Sequence, residues 1–238
     1  MTQELFRENG YLKNCTATVT AVDERGIQVD QTVFYSTGGG QPGDTGTCVT
    51  AAGIELTITD TFKDRESAEH IHVIENATTL TTAVKPGDSV TLNLDWDRRH
   101  RIMRMHSCLH MLCAVVPAQV TGGSIQDGRG RLDFDLPETI DKSEVTANLN
   151  KLINENHAMT LSWITDEELQ ANPGLVRTMS APPPIGTGKV RLVNFEGVDL
   201  QPCGGTHVAS TGEIGPVLVQ KIEKKGKLNR RITVVFDD

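Results

Sequence analysis

Aromatic residues are scarce. Two Trp, two Tyr and six Phe make up 4% of 238 residues, so any core must be built from Val, Ile, Leu, Met and Ala. Long apolar runs are missing too. None approaches the ~18 residues of a membrane-spanning helix. The opening MTQELFRENG has no apolar stretch of the kind found in a secretory signal. The expectation is a cytoplasmic protein. Cysteine is sparse: Cys15, Cys48, Cys108, Cys113 and Cys203 are odd in number and contain no CxxC pair. That argues against a disulfide framework and leaves thiolate nucleophile or metal ligand as roles for a functional cysteine. No GxSxG elbow is present. The glycine-rich stretch at 37–46 lacks the GK[ST] of a phosphate-binding Walker loop.

What is present fits a folded protein, with 37% apolar and 23% charged residues. The net charge of −8 is unevenly placed: residues 1–95 hold 6 Lys/Arg against 14 Asp/Glu, whereas 96–238 hold 17 of each. Basic residues of the neutral part gather in two runs, Arg98, Arg99, Arg101, Arg104 and Lys221, Lys224, Lys225, Lys227, Arg230, Arg231. Whole-chain acidity argues against nucleic acid and local clustering argues for it. On charge alone, a solvated face accounts for the runs equally well.

Residues 1–95 read as all-β. β-Branched segments at 15–22, 27–34, 48–50, 54–62, 70–73 and 89–94 are separated by turn-like Asp23-Glu24-Arg25-Gly26, the glycine-rich loop and Lys85-Pro86-Gly87-Asp88, which suggests a small barrel. Near residue 96 the period changes. Ile102, Met105, Leu109, Leu112 and Val116 recur at steps of three and four, which predicts a helix from 97 to 116 limited by Pro117. A glycine-rich turn (Gly122, Gly123, Gly128, Gly130), a strand at 131–136, a helix at 141–156 and a strand at 160–164 follow. Thr165 is placed to cap a short helix, and Ala181–Pro184 reads as a loop. Further strands are expected at 189–195, 217–223 and 231–236. The fold class read here is α+β: an N-terminal β-barrel domain over 1–95, then an α+β domain over 96–238.

One constellation carries chemistry. His106 and His110 stand at i and i+4, so both imidazoles share a helix face. Far along the chain, Cys203-Gly204-Gly205-Thr206-His207 supplies a thiolate and a third imidazole. Either pair alone is more often structural than metal-binding. Together they make three nitrogens and one sulfur, a set that suits Zn2+, and Gly204 and Gly205 would let the backbone turn so that both side chains face one point. Ser107 stands where the HExxH protease motif has its general-base Glu, so that chemistry is excluded. Cys203 and His207 also admit a second reading, as a nucleophilic pair. Arg98, Arg99, Arg101 and Arg104 crowd the first turns of the helix, where its dipole disfavours cations by about 0.3–1 kcal/mol each. They suit phosphates held near the metal, or pairing with the acidic N-terminal part.

These residues resemble the editing domain of alanyl-tRNA synthetases and its freestanding relatives. His106-Ser107-Cys108-Leu109-His110 and Cys203-Gly204-Gly205-Thr206-His207-Val208 carry the resemblance. Phe34-Tyr35, Gly39-Gly40-Gln41-Pro42, Asp44-Thr45-Gly46, Arg131-Leu132-Asp133-Phe134, Ile222 to Lys227 and Arg230-Arg231 follow in the same order. The length leaves no room for a class II aminoacylation core. The resemblance implies a metal-dependent aminoacyl-tRNA deacylase that hydrolyses the ester of mischarged alanine tRNA, chiefly the seryl form, with the glycyl form as a further substrate. It implies tRNA as partner at its acceptor end, Zn2+ as cofactor, and neither a membrane nor ATP. There is a physical logic to such an activity. A synthetase pocket excludes an isostere with one extra hydroxyl only about a hundredfold, whereas a second site that hydrogen-bonds the hydroxyl discriminates far better.

The resemblance also implies roles. Metal ligands are His106, His110, Cys203 and His207, with Cys203, His207 and Thr121 at the reacting centre. Thr121 would read the hydroxyl. Gly39, Gly40, Gln41, Asp44, Gly204 and Gly205 would line the substrate. Arg98, Arg99, Arg101, Lys221, Lys224, Lys225, Arg230 and Arg231 would contact phosphate. Trp96 and Trp163 are expected in the core rather than on a base. The ligand count leaves two arrangements: four protein ligands that close the site and orient substrate, or three with an attacking water. A tRNA-binding module with structural zinc and an editing enzyme for another amino acid are the competing functions. A zinc amidohydrolase of small molecules fits the basic runs poorly.

Overall fold

The computed structural model describes residues 2–76, 80, 82–179 and 188–237. The chain divides into two units, Met1–His100 and Arg101–Asp238. The Ala181–Pro184 loop lies outside the described residues.

The first unit is built from β1 (Gln3–Glu4), β2 (Asn14–Asp23), β3 (Gly26–Val29), β4 (Gln31–Thr32), β5 (Gly46–Thr50), β6 (Glu55–Lys63), β7 (His70–Ile74) and β8 (Ser89–Leu94). Six of them close a barrel in the order β2-β3-β7-β6-β5-β8, and β1 pairs with β4 in parallel. Alternation drives closure. On β6, Leu56 and Ile58 turn inward while Glu55 and Thr57 face out. A register shift between Ile58 and Asp60 then brings Thr61 inside. Val19, Ile27, Val29, Phe34, Ile58, Val90 and Leu92 pack the interior, so an aliphatic core compensates for the shortage of aromatics.

Two barrel histidines are buried and fully engaged. His70 places Nδ1 2.5 Å from Ser36 Oγ and Nε2 2.7 Å from Glu4 Oε1. His72 places Nε2 2.8 Å from Thr32 Oγ1 and Nδ1 3.3 Å from the Ile27 carbonyl. Burial, reinforced by His70, pushes His72 down to about 3. Glu4 is held at about 2: burial works against the carboxylate, and His70, Lys63 and Arg7 overcome it.

The glycine-rich loop is tied to this barrel. Gly38 and Gln41 exchange backbone hydrogen bonds of 3.0 and 2.9 Å around Gly39 and Gly40, whose φ values of 56° and 84° suit glycine. Asp44 is buried. It accepts from Tyr35 N–H at 2.6 Å and is paired with Arg99, whose Nε lies 2.9 Å from both carboxylate oxygens. Arg99 also donates to the carbonyls of Gly10 and Val33. Helix α1 (Trp96–Val115) starts here, with Asp95 accepting from Arg98 N–H at 3.2 Å.

The second unit continues α1 and adds β9 (Val120–Gln126), β10 (Arg129–Asp135), α2 (Lys142–Asn154), β11 (Met159–Ile164), α3 (Asp166–Ala171), β12 (Val190–Phe195), β13 (Asp199–Pro202), β14 (Val217–Lys224) and β15 (Asn229–Phe236). Its sheets are the antiparallel β14-β15-β10-β9 and β11-β12-β13. Residues 120–126, expected partly as a glycine-rich turn, are a strand. Gly122 and Gly123 pair with Asp133 and Leu132 there. Gly130 is a close approach: a Cβ at this position would meet Met105 Sδ at 2.8 Å, so the missing side chain lets α1 lie on β10. Asp141 caps α2, which packs Val145, Leu149 and Ile153 inward. Thr165 forms the capping box of α3 with Glu168.

Candidate metal centre

Every residue of the apolar stripe is buried: Ile102, Met105, Leu109 and Leu112 on α1, and Val116 just past its end. Met103, Cys108 and Met111 are buried as well, so the helix is enclosed on nearly every side. His106 and His110 therefore sit in the interior, 8% and 5% exposed, with ring centroids 5.4 Å apart. Polar nitrogens buried this deeply call for hydrogen-bond partners or a ligand.

The 203–207 segment comes in from the end of β13. Neither Gly204 nor Gly205 has a positive φ, which corrects the expected reason for its turn. The turn is held by Arg191 on β12. Its guanidinium donates to the carbonyls of Cys203, at 2.9 Å, and Gly205, and its own carbonyl accepts from Cys203 N–H at 3.1 Å. Cys203 Sγ then lies 3.5 Å from His106 Nε2 and 3.3 Å from His207 Nε2. The His207 ring is 4.1 Å from that of His106 and 4.5 Å from that of His110. One ligand atom from each of the four residues falls within 4.8 Å of the others. Tetrahedral bonds of about 2.0–2.3 Å set donor atoms about 3.3–3.7 Å apart. The sulfur–nitrogen separations match that spacing, so the donor set fits a cation such as zinc.

Outward nitrogens are held by the protein. His110 Nδ1 is 2.8 Å from Asp199 Oδ2, and Gln201 donates to the same oxygen at 2.8 Å. His207 Nδ1 is 3.3 Å from Ser107 Oγ. Phe195 walls the site, 5.8 Å from His110 and 6.1 Å from His207, ring to ring.

Electrostatics set this site apart from the rest of the interior. Burial pushes the thiols of Cys108 and Cys113 up to about 12. Burial acts the same way on Cys203, yet His106 and His207 bring it well below the usual thiol value. Burial would lower His110, but Asp199 and Cys203 raise it to about 9. Burial and the neighbouring His106 push His207 down. A stabilised thiolate is the form in which Cys203 binds a metal.

The other expected site residues lie partly in the interior and partly on the surface. Asp44 and Arg99, expected at substrate and phosphate, are buried against each other in the first unit, because a desolvated carboxylate needs a cation. Gln41 is buried as well. Arg98 donates to the Gly43 carbonyl at 2.8 Å. Arg230 is buried, donating to the carbonyls of Pro137 and Glu138. Arg231 grips Asp133 at 2.7 and 2.8 Å. Arg101 pairs with Asp127 at 2.5 Å. Lys221, Lys224 and Lys225 are exposed, with Glu223 between Lys221 and Lys225. The Thr121 hydroxyl donates to the Asp133 carbonyl at 3.1 Å and accepts from Asn229 at 2.8 Å. Trp163, expected in the core, is 42% exposed because it lies on β11, an edge strand. Trp96 is half-buried, stacked on His100.

Sequence reading missed Ser107 as a partner of His207, and it missed Arg191, Asp199 and Gln201. Alternation at Asp199-Leu200-Gln201 was the available signal for β13.

Residues 190–233 match the family described as "Threonyl and Alanyl tRNA synthetase second additional domain", and residues 6–98 match "tRNA synthetases class II (A)". The matched 6–98 stretch contains the six-stranded barrel. The alanyl-tRNA editing protein AlaX-M of Methanosarcina acetivorans is 36% identical over 243 residues, covering 98% of each chain. That of Methanosarcina mazei is 36% identical over 241 residues, covering 98% of this chain and 95% of the relative. The alanine–tRNA ligase of Sulfurisphaera tokodaii is 31% identical over 232 residues, which are 94% of this chain and 25% of the ligase.

Proposed function

The chain belongs to the family of alanyl-tRNA editing proteins, and from that membership we propose that it is a freestanding, metal-dependent deacylase of mischarged alanine tRNA. Its main substrate is the seryl ester, with the glycyl ester second. The observation that carries this reading is the meeting of His106, His110, Cys203 and His207, two pairs about 100 residues apart, within 4.8 Å. These four residues would hold zinc. Bound there, zinc would supply a Lewis acid to the hydrolysis.

The chain's own residues do the rest. Phe195 and the buried face of α1 keep water from the inner side of the site. Thr121, with one oxygen lone pair uncommitted after its two hydrogen bonds, accepts from the seryl hydroxyl. Exposed Lys221, Lys224 and Lys225 contact the phosphates of the tRNA, which positions it without reading its sequence. Gly39 and Gly40 offer backbone at the tip of their turn for a further contact with the nucleic acid. No helix among the described residues is long and apolar enough to cross a membrane. We place the activity in the cytoplasm because its proposed substrate is a charged tRNA.

Deacylation of seryl- and alanyl-tRNA of the alanine type, with and without chelator, tests the proposal. Hydrolysis of the seryl ester alone, lost on chelation and restored by zinc, is the expected result. Hydrolysis of neither ester would favour a tRNA-binding module with structural zinc.

A further inference from the structure

We infer that Ser107 and Asp199 are positioning residues of the metal centre, each fixing which nitrogen its histidine turns toward a bound cation. This rests on the metal reading above and extends it to two residues behind the ligands.

A neutral imidazole has one nitrogen with a proton and one with a free lone pair. It can ligate only through the latter, so the partner of the other nitrogen decides how it binds. Two groups face His110 Nδ1, the Asp199 carboxylate and, at 3.1 Å, the Gln201 amide nitrogen, which is already donating to that carboxylate. Asp199 Oδ2 accepts from Gln201 and lies 2.8 Å from Nδ1, the shorter of the two contacts, so it is the acceptor for that nitrogen. The proton must sit on Nδ1, which leaves the Nε2 lone pair for the cluster. Gln201 braces the arrangement by donating to the same oxygen at 2.8 Å.

Asp199 shows a second sign of this role. Its side chain is fully buried, and its Oδ1 has no hydrogen-bond partner. Its ion-pair partner among the described residues is His110. A buried carboxylate with an empty oxygen is costly. Positive charge on the far side of the imidazole offsets that cost, and a cation held at Nε2 provides it.

Ser107 does the corresponding work for His207. Its Oγ accepts from Val208 N–H at 3.2 Å and has a second lone pair 3.3 Å from His207 Nδ1. With a cation at Nε2, Nδ1 carries the proton and donates to that lone pair. The same serine therefore links α1 to the 207–208 backbone and orients the ring between them. Although it follows the first histidine of the pair, where a zinc protease has its base, Ser107 is wholly buried and turned to His207.

The test is zinc affinity of the full chain by competition with a chromophoric chelator, combined with imidazole nitrogen–proton correlation spectra of the zinc-loaded protein. Ser107→Ala and Asp199→Asn should each weaken zinc about ten- to hundredfold with circular dichroism unchanged. In wild-type spectra His110 and His207 should both carry the proton on Nδ1. Cobalt-loaded variants should show an altered ligand-field spectrum, which loss of packing alone would not produce. Zinc affinities within twofold of wild type, or a proton on Nε2 of His110 in the zinc-loaded wild type, would overturn the inference. The wild-type spectrum decides it even if Asp199→Asn fails to fold. Wild-type protein that takes up no zinc would instead overturn the metal reading itself.

Discussion

Each unit buries a group of histidines, and the two groups are satisfied in opposite ways. In the barrel, both nitrogens of His70 and both of His72 meet oxygen atoms of the protein. These rings need nothing from outside. In the second unit, the outward nitrogens of His110 and His207 are held by Asp199 and Ser107, while the inward ones converge with His106 on a single sulfur. Sulfur is a weak acceptor, so that convergence is incomplete without a cation. The comparison teaches that a buried histidine cluster is a ligand set when its back is braced and its front is not.

The contrast is most easily broken at the ligands. Replacing Cys203 by Ala should remove both bound metal and deacylation, read by metal analysis and a tRNA assay. Lost activity with full zinc content would make Cys203 a nucleophile instead. His72→Ala in the barrel should leave the metal content unchanged. Next in size is the buried pair of the first unit. Asp44→Asn leaves Arg99 buried without its counter-charge and should destabilise the barrel by about 3–5 kcal/mol in urea unfolding. Metal affinity of the folded protein should not move.

Acidification should also separate the units. His72 is neutral in the fold because its value drops from 6.5 to about 3. The stability this implies is intact above 6.5 and is lost as pH falls from 6.5 toward 3, since the unfolded chain takes up the proton first. Glu4, lowered from 4.5 to about 2, adds a loss between those values. The slope from His72 is at most about 1.4 kcal/mol per pH unit. His72→Gln should flatten it in unfolding curves between about pH 7 and 4; an unchanged slope would assign the titration elsewhere. Raising salt from about 50 to 200 mM should weaken tRNA binding, by less than the about 10³- to 10⁵-fold of a protein with six to ten phosphate contacts. A flat response would remove Lys221, Lys224 and Lys225 from the interface. The smallest effect expected is at Thr121. Thr121→Val should narrow the preference for the seryl over the alanyl ester, and an unchanged ratio would end its assignment as hydroxyl reader.

Much of this was legible in the chain. The barrel strands follow from alternating β-branched residues, and α1 follows from its stripe. The four ligand candidates follow from residue type and spacing. What was not legible has a common cause. Gly122 and Gly123 read as a turn because glycine is a poor strand former, and only pairing to β10 overrides that preference. Arg99 and Arg230 read as surface cations because local charge does not reveal a buried acceptor many residues away. Trp163 read as core because its strand's place at a sheet edge is not written locally.

The order of residues alone determined which atoms were available, three imidazole groups and one thiol of the right chemistry, and where most of the barrel strands and α1 would lie. Tertiary structure decided which of them meet, because a hydrogen bond between residues such as His110 and Asp199 depends on a path through space that local spacing does not encode. It also decided which charges are spent internally, since desolvation acts only once the chain has closed around them.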